Sequence, residues 1–171
     1  MSTIFRPEKK GGDILYAEDY NTDTFLPSYR LRKCVDNVKL DTSTTTSAEV
    51  LRATLGKLVH VPSVSFFKVY LQDAVFKNLS TTSVTIVEII ARLWYYRQGD
   101  RLDYAEVYTT AVRLDPGAST TRDLVLYDPY VSIDSVIDEV SVELYIKAST
   151  TDGTTPNAEV TITKACVMLD L

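Results

Sequence analysis

The chain has 171 residues and a mass of 19.2 kDa, which is enough for one domain with a sizeable core and too short for two. It is 45% hydrophobic and 24% charged, with a net charge of −5 and an isoelectric point near 4.9. This composition excludes wholesale disorder and disfavours nucleic acid as a partner, and no apolar run reaches the length of a membrane span or signal peptide. We therefore expect a folded protein that is made in a cytoplasm and does not enter a membrane.

The first part of the chain is typical of an extended arm. In residues 1–33, Pro7, Gly11, Gly12 and Pro27 interrupt scattered apolar residues that follow no sustained period. These apolar residues are too numerous for free solvent, so the arm should lie against another surface. The Thr- and Ser-rich residues 41–47 are typical of a linker, and we assign arm and linker together to residues 1–56.

One short helix is predicted at the end of this region. Ser47 is a suitable N-cap, Glu49 lies in the first turn and Gly56 follows Leu55. Since this run is short and weakly amphipathic, it is also compatible with an extended segment.

The remainder of the chain alternates apolar and polar residues with a period of two, the pattern of half-buried strands. Strands are predicted around residues 66–71, 84–96, 102–114, 140–148 and 159–171. A hairpin is expected at Gly99–Asp100, and a change of parity in the last strand predicts a bulge near Lys164. The sequence therefore predicts an all-β class, an antiparallel β-sandwich or jelly roll at residues 57–171, preceded by the extended N-terminal arm.

The sequence contains no catalytic signature. His60 is the only histidine, so we expect it to be structural. Cys34 and Cys166 lie 132 positions apart, which favours two buried thiols over a disulfide and gives no metal-ligand spacing. Glu88 and Glu143 are a weak candidate for a glycosidase pair. We expect no enzyme activity, no catalytic residue, no bound metal and no cofactor.

The aromatic residues are more informative. The chain has eleven tyrosines and one tryptophan, and four of these rings fall on two neighbouring predicted strands. They are Trp94, Tyr96, Tyr104 and Tyr108. Ordinary packing, a subunit interface and a glycan-stacking surface all use such residues, and the sequence leaves these three alternatives open.

Residues 12–21, Gly-Asp-Ile-Leu-Tyr-Ala-Glu-Asp-Tyr-Asn, resemble a short pattern near the N-terminus of tailed-bacteriophage tail-fibre, baseplate and head-fibre proteins. The resemblance covers ten residues and implies a short segment that attaches to the virion, followed by a β-rich module that is usually trimeric. Apolar anchors between turn-forming polar residues suit a docking peptide. The attachment residues predicted on this basis are Asp13, Ile14, Leu15, Tyr16, Asp19, Tyr20, Asn21, Phe25 and Leu26.

Together these observations predict a non-enzymatic structural protein of a tailed-phage virion. Its arm would anchor to neighbouring capsid or tail subunits, and its sandwich would form an oligomeric fibre, adaptor or decoration module, with a homotrimer expected. The alternative is a carbohydrate-binding module that recognises a host-surface glycan through the four aromatic residues named above.

Overall fold

Nine antiparallel strands form the structure, a computed structural model that describes residues 30–61, 65–131 and 133–171. No helix long and apolar enough to cross a bilayer occurs in these ranges. The strands are β1 (Arg30–Asp41), β2 (Ser47–Val61), β3 (Ser65–Asn78), β4 (Thr85–Arg97), β5 (Asp100–Tyr108), β6 (Val112–Leu114), β7 (Ser119–Val131), β8 (Ser135–Thr150) and β9 (Ala158–Asp170).

The strands form two sheets that pack face to face. The first sheet has the order β1-β9-β3-β7, and the second has the order β2-β8-β4-β5 with the short β6 paired to β4. The chain changes sheet at every connection from β1 to β4, and again from β7 to β9, while β4 and β5 form a hairpin in one sheet. This order is that of an eight-stranded jelly roll, so the predicted all-β sandwich class is confirmed.

Period-two alternation directs one face of each strand into the space between the sheets. On β4 the inward residues from Val87 to Tyr95 are all buried, as predicted, and on β8 Val140, Val142 and Leu144 are fully buried beside them. On β3, Phe67, Val69 and Leu71 close the core from the first sheet. Burying each such side chain contributes about 1.5–3 kcal/mol relative to leaving it in water.

A change of parity crosses the first sheet. On β9, Ile162 and Ala165 are buried while Thr163 and Lys164 between them are both exposed, which confirms the predicted irregularity near Lys164. The facing strands adjust at the same level, where Asn37 in β1 and Asp73 in β3 have φ angles of 56° and 51°. Asn and Asp tolerate this left-handed region better than most residues, so both neighbours stay in register.

The helix predicted after Ser47 is wrong, because residues 47–61 form β2 and pair with β8. A register shift between Glu49 and Leu51 buries the consecutive residues Val50 and Leu51, with Leu55 the next core residue on the strand. Apolar residues at positions 50, 51 and 55 imitate helical spacing although the backbone is extended.

The predicted boundary at residue 57 also needs correction. β1 pairs with β9 along its length, β2 pairs with β8, and Leu40 and Val50 belong to the buried core. Residues 30–56 are therefore part of the sandwich rather than of an arm or linker.

The predicted hairpin lies between β4 and β5. Gln98 and Gly99 both have positive φ, 51° and 89°, as a tight two-residue turn between twisted strands requires. The predicted return strand is interrupted at residues 109–111, and its two parts, β5 and β6, both pair with β4. Thr109 spans the gap, since its N–H donates to the Ile89 carbonyl and its hydroxyl accepts from the Ile89 N–H.

The two cysteines are a disulfide rather than two buried thiols. Cys34 of β1 lies directly opposite Cys166 of β9, and both side chains point away from the core. The bond cross-links β1, an edge strand among the described strands, to its neighbour β9. The register between β1 and β9 brings the two sulfurs together. This register cannot be read from the sequence, where the two cysteines are 132 residues apart.

Candidate interface on the outer face of the second sheet

The four aromatic residues singled out in the sequence lie on one surface. Trp94 and Tyr96 project from the outer side of β4, and Tyr104 and Tyr108 project from the same side of β5. Trp94 and Tyr104 are direct cross-strand partners, with ring centroids 4.5 Å apart. This side of the sheet faces away from the core, so the rings form part of the outer surface of the sandwich.

Three arginines lie among these rings. The Arg101 guanidinium lies 3.9 Å from the Trp94 ring centroid, and that of Arg92 lies 4.6 Å from the Tyr104 centroid. Arg92 is also 4.6 Å from the Tyr145 ring of β8, and Arg52 of β2 lies 5.0 Å from that of Tyr96. A planar guanidinium can stack on an aromatic ring, and the contact restricts the orientation of both side chains. We call this surface the arginine–aromatic face; its residues are Arg52, Arg92, Trp94, Tyr96, Arg101, Tyr104, Tyr108 and Tyr145.

Tyr96 is the buried centre of the face, with only 6% of its surface exposed. Its hydroxyl accepts hydrogen bonds from Arg101 at 3.1 Å and Arg52 at 3.3 Å, and lies 3.2 Å from the Ser141 hydroxyl. Burial opposes ionisation, but the hydrogen bonds from Ser141, Arg101 and Arg52 outweigh it and lower the pKa of Tyr96. Tyr96 therefore holds the sheet's own side chains together, and its contact with a partner or glycan stays a prediction.

Glu143 of β8 connects the central part of the face. Its carboxylate accepts a hydrogen bond from the Trp94 indole N–H at 3.1 Å and another from the Tyr145 hydroxyl, and Arg101 lies 3.6 Å away. Burial, followed by the hydrogen bond to Glu143, raises the pKa of Tyr145. One carboxylate thus fixes the orientation of two rings.

Glu106 likewise fixes side chains at the edge of the face. We call this edge, which is formed by β5 and carries Tyr104, Glu106 and Tyr108, the β5 margin. Glu106 forms an ion pair with Arg92 and accepts a hydrogen bond from the Tyr108 hydroxyl at 2.7 Å. Burial works to raise the pKa of Glu106, but the bonds from Tyr108 and Arg92 prevail and lower it. The same bond to Glu106 raises the pKa of Tyr108.

The accessible part of the face lies at this margin. Tyr108 is 53% exposed and Tyr104 is 39% exposed, whereas Trp94 is half-buried under Arg101. Two surface depressions, of about 190 and 330 Å³, are lined by neither tyrosine and not by Trp94. The margin therefore offers exposed ring surface whose polar groups are already hydrogen-bonded and hold the rings in place.

The other sequence candidates are not brought into a reactive group. Glu88 pairs across from Lys147 and Glu143 from Arg92, which places the two carboxylates four residues apart, about 13 Å along the sheet. His60 is exposed, with Asp134 3.7 Å from its imidazole. Within the described residues no three His, Cys, Asp or Glu side chains come together as a metal site.

The attachment residues, the three arginines and Glu143 differ in what the sequence and the structure say of them. The predicted attachment residues, from Asp13 to Leu26, lie outside the described residues. Sequence reasoning missed the part played by the three arginines and Glu143. Alternation alone places Arg92 beside Trp94, but the partners of Arg52 and Arg101 follow from strand register, which no local pattern reveals.

No family model and no curated protein matches this chain. Among solved structures, it is similar to the VP2 subviral particle of infectious bursal disease virus, with 12% identity over 85% of this chain and 32% of that one and a TM-score of 0.43. The T13 particle of the same virus gives 11% identity over 84% and 35%, with a TM-score of 0.39. The chain thus spans about a third of the length of these viral chains.

A second kind of similar structure is the C-terminal family 22 carbohydrate-binding module of Clostridium thermocellum Xyn10B. It shows 14% identity over 81% of this chain and 83% of that one, with a TM-score of 0.31. All of these TM-scores are below 0.5.

Proposed function

We propose that this chain is a non-enzymatic structural protein of a tailed-phage virion. Its jelly roll associates with further copies, as a homotrimer, through the β5 margin of the arginine–aromatic face. Its N-terminal residues attach the assembly to other virion proteins. No nucleic acid, membrane or cofactor takes part in this function.

The observation that carries the proposal is the construction of the arginine–aromatic face. Tyrosine, tryptophan and arginine are the residues enriched at the energetic centres of protein interfaces. Here each arginine is already stacked and paired, so Tyr104 and Tyr108 are held in position before any partner arrives. Little side-chain entropy is lost when a pre-organised surface binds, which favours association.

Two further features support the wider assignment. The jelly roll is an architecture that viral capsid domains use repeatedly. The resemblance of residues 12–21 to phage attachment segments gives the N-terminal region a role that its scattered apolar residues suit. The virion is accordingly the proposed location.

Self-association is tested by sedimentation and native mass measurement on the purified chain. We expect Tyr104→Ala and Tyr108→Ala each to weaken association by about 2 kcal/mol, roughly thirtyfold in dissociation constant, without lowering the melting temperature of the monomer. Leu58→Ala is the matched control, because Leu58 is 46% exposed on β2, at the opposite edge of the same sheet. A chain that is monomeric at tens of micromolar would contradict the proposal.

Attachment is tested separately by deleting residues 1–29. The truncated chain retains every described strand, so it should keep the oligomer mass of the full chain. We expect it to be excluded from virus particles in a complementation assay. Normal incorporation would show that the N-terminal region is not the attachment segment.

A second candidate function is binding of a host-surface glycan at the same margin. Tyr104 and Tyr108 face the same way, about 14 Å apart along β5, with Arg92 and Glu106 between them. Aromatic rings flanking charged hydrogen-bonding groups suit a chain of several sugar units. Micromolar binding on a glycan array that is lost on Tyr108→Ala, by a chain that stays monomeric, would favour this function over self-association.

A further inference from the structure

A second aromatic surface lies on the outer side of the first sheet, at the end where β1 begins. Phe66 and Tyr127 meet edge to face with centroids 5.3 Å apart, and the Lys68 ammonium lies 6.0 Å from the Tyr127 ring. In the next row Tyr70 pairs with Val125, which is 51% exposed. We call this surface the basic aromatic patch; its residues are Arg30, Phe66, Lys68, Tyr70, Val125 and Tyr127.

The patch carries a charge opposite to that of the whole chain. Asp170 at its border is paired with Arg32 at 3.0 Å. Within the described residues neither Arg30 nor Lys68 has an ion-pair partner, so two cations remain on a protein whose net charge is −5. An apolar surface with excess positive charge fits a segment that is both apolar and acidic.

Residues 13–26 have this chemistry. They contain four carboxylates and no lysine or arginine. Their apolar members are of the large kinds that anchor peptides in contacts. These are Ile14, Leu15, Tyr16, Tyr20, Phe25 and Leu26.

The connection to the sandwich is also short enough. The chain enters β1 at Arg30, which pairs with Asp170 of β9, and Asp170 pairs in turn with Phe66. Two strand spacings therefore separate Arg30 from Phe66, about 10 Å, whereas Tyr127, which pairs with Lys68, lies one strand and two residues further, about 16 Å from Arg30. The four steps from Leu26 to Arg30 can span up to about 14 Å. So short a link gives an effective concentration in the millimolar range.

We propose that in the free chain residues 13–26 dock on the basic aromatic patch of their own sandwich. The anchors cover Phe66 and Tyr127, and the carboxylates lie against Lys68 and Arg30. This inference concerns the chain before assembly and does not depend on the virion function proposed above, since a docked segment can later be exchanged for a neighbouring subunit's surface.

The test is limited chymotryptic digestion of the full chain at a concentration where sedimentation shows monomer. Cleavage after Tyr16, Tyr20 and Phe25 should be at least tenfold slower than in a synthetic peptide of residues 13–26, because proteolysis follows the population of the open form. Tyr127→Ser and Lys68→Glu should each remove most of this protection. The matched controls Leu58→Ser and Lys57→Glu, on the other sheet, should retain it, and 1 M salt should weaken it in the wild-type chain.

Several outcomes would overturn the inference. Cleavage of the wild-type chain at the rate of the free peptide would do so, as would full protection in Tyr127→Ser and Lys68→Glu variants whose near-ultraviolet circular dichroism is native. Protection that disappears on dilution would assign the docking to another copy's segment, and protection only on addition of another virion protein would assign it to that partner. Because the cleavage rates are measured on the monomer, they do not depend on whether the chain self-associates at higher concentration.

Discussion

The outer faces of the two sheets follow the same alternation yet differ in how their aromatic residues are held. Tyr96 and Tyr127 both point away from the core, but Tyr96 is 6% exposed and Tyr127 is 52% exposed. Tyr96 lies on β4, in the interior of its sheet, where arginines from β2 and β5 close over it. Tyr127 lies on the edge strand β7. The burial of an outward tyrosine therefore depends on what its neighbouring strands supply.

Truncation of each tyrosine in turn tests this difference most directly. Tyr96→Ala should reduce the free energy of unfolding by about 3–5 kcal/mol, because it opens a cavity and removes the hydroxyl that accepts hydrogen bonds from Arg52 and Arg101. Tyr127→Ala should cost less than about 1 kcal/mol, since about half of this tyrosine, 52%, is exposed on the surface of the sandwich. Urea denaturation measures both, and equal losses would show that the two faces are packed alike.

The disulfide of the first sheet gives the next largest effect. Cys34→Ser should lower stability by about 2–4 kcal/mol, since a cross-link between residues so distant in sequence restricts the unfolded chain. A reductant should have the same effect on the wild-type chain and none on the variant, as followed by thermal denaturation. A wild-type chain indifferent to reductant would contradict the cross-link.

On the second sheet, Glu143 and Glu88 provide an internal comparison. Glu143→Gln should cost about 1–3 kcal/mol, because Trp94, Tyr145 and Arg101 share its carboxylate. Glu88→Gln should change stability by less than about 0.5 kcal/mol, as it makes no ion pair within the described residues. Trp94 fluorescence should shift in the first variant only.

Acid should affect the second sheet through Glu106, with the smallest effect. The pKa of Glu106 is lower in the folded chain than its ordinary value of 4.5, so its contribution to stability is present above that pH and is lost as the pH falls through the folded value. Because the ion pair is partly exposed, the change should stay below about 1 kcal/mol. Urea midpoints at pH 7 and pH 3 should differ less in Glu106→Gln than in the wild-type chain.

The strands that sequence predicts well are those whose alternation is uninterrupted. β4 and the central part of β8 keep one parity where they cross the core, so their inward residues follow from the pattern alone. β1 changes parity at Asn37 and β2 buries both Val50 and Leu51, and in each case a local backbone irregularity disguises a long strand. Register shifts are set by the partner strands, which a local pattern does not contain.

The candidate site was also predictable only where it depends on local alternation. Alternation indicates that Trp94, Tyr104 and Tyr108 face outward, and the hairpin implies that β4 and β5 are neighbours. The burial of Tyr96 depends on Arg52, 44 residues away in sequence, and on Ser141, 45 residues away. The disulfide likewise joins residues at opposite ends of the chain. These are contacts that only the complete topology determines.

The position of the disulfide also has a mechanical consequence. A pull applied at Arg30 loads β1 at its end, where an edge strand separates from its neighbour one backbone hydrogen bond at a time, like a zipper. The bond between Cys34 and Cys166 lies only four residues along that path. Peeling must stop there, and beyond this point the load passes through a covalent link into β9, which is hydrogen-bonded to β3 on its other side. The sandwich thus resists traction on the segment that precedes it far better than a hydrogen-bonded edge strand alone would.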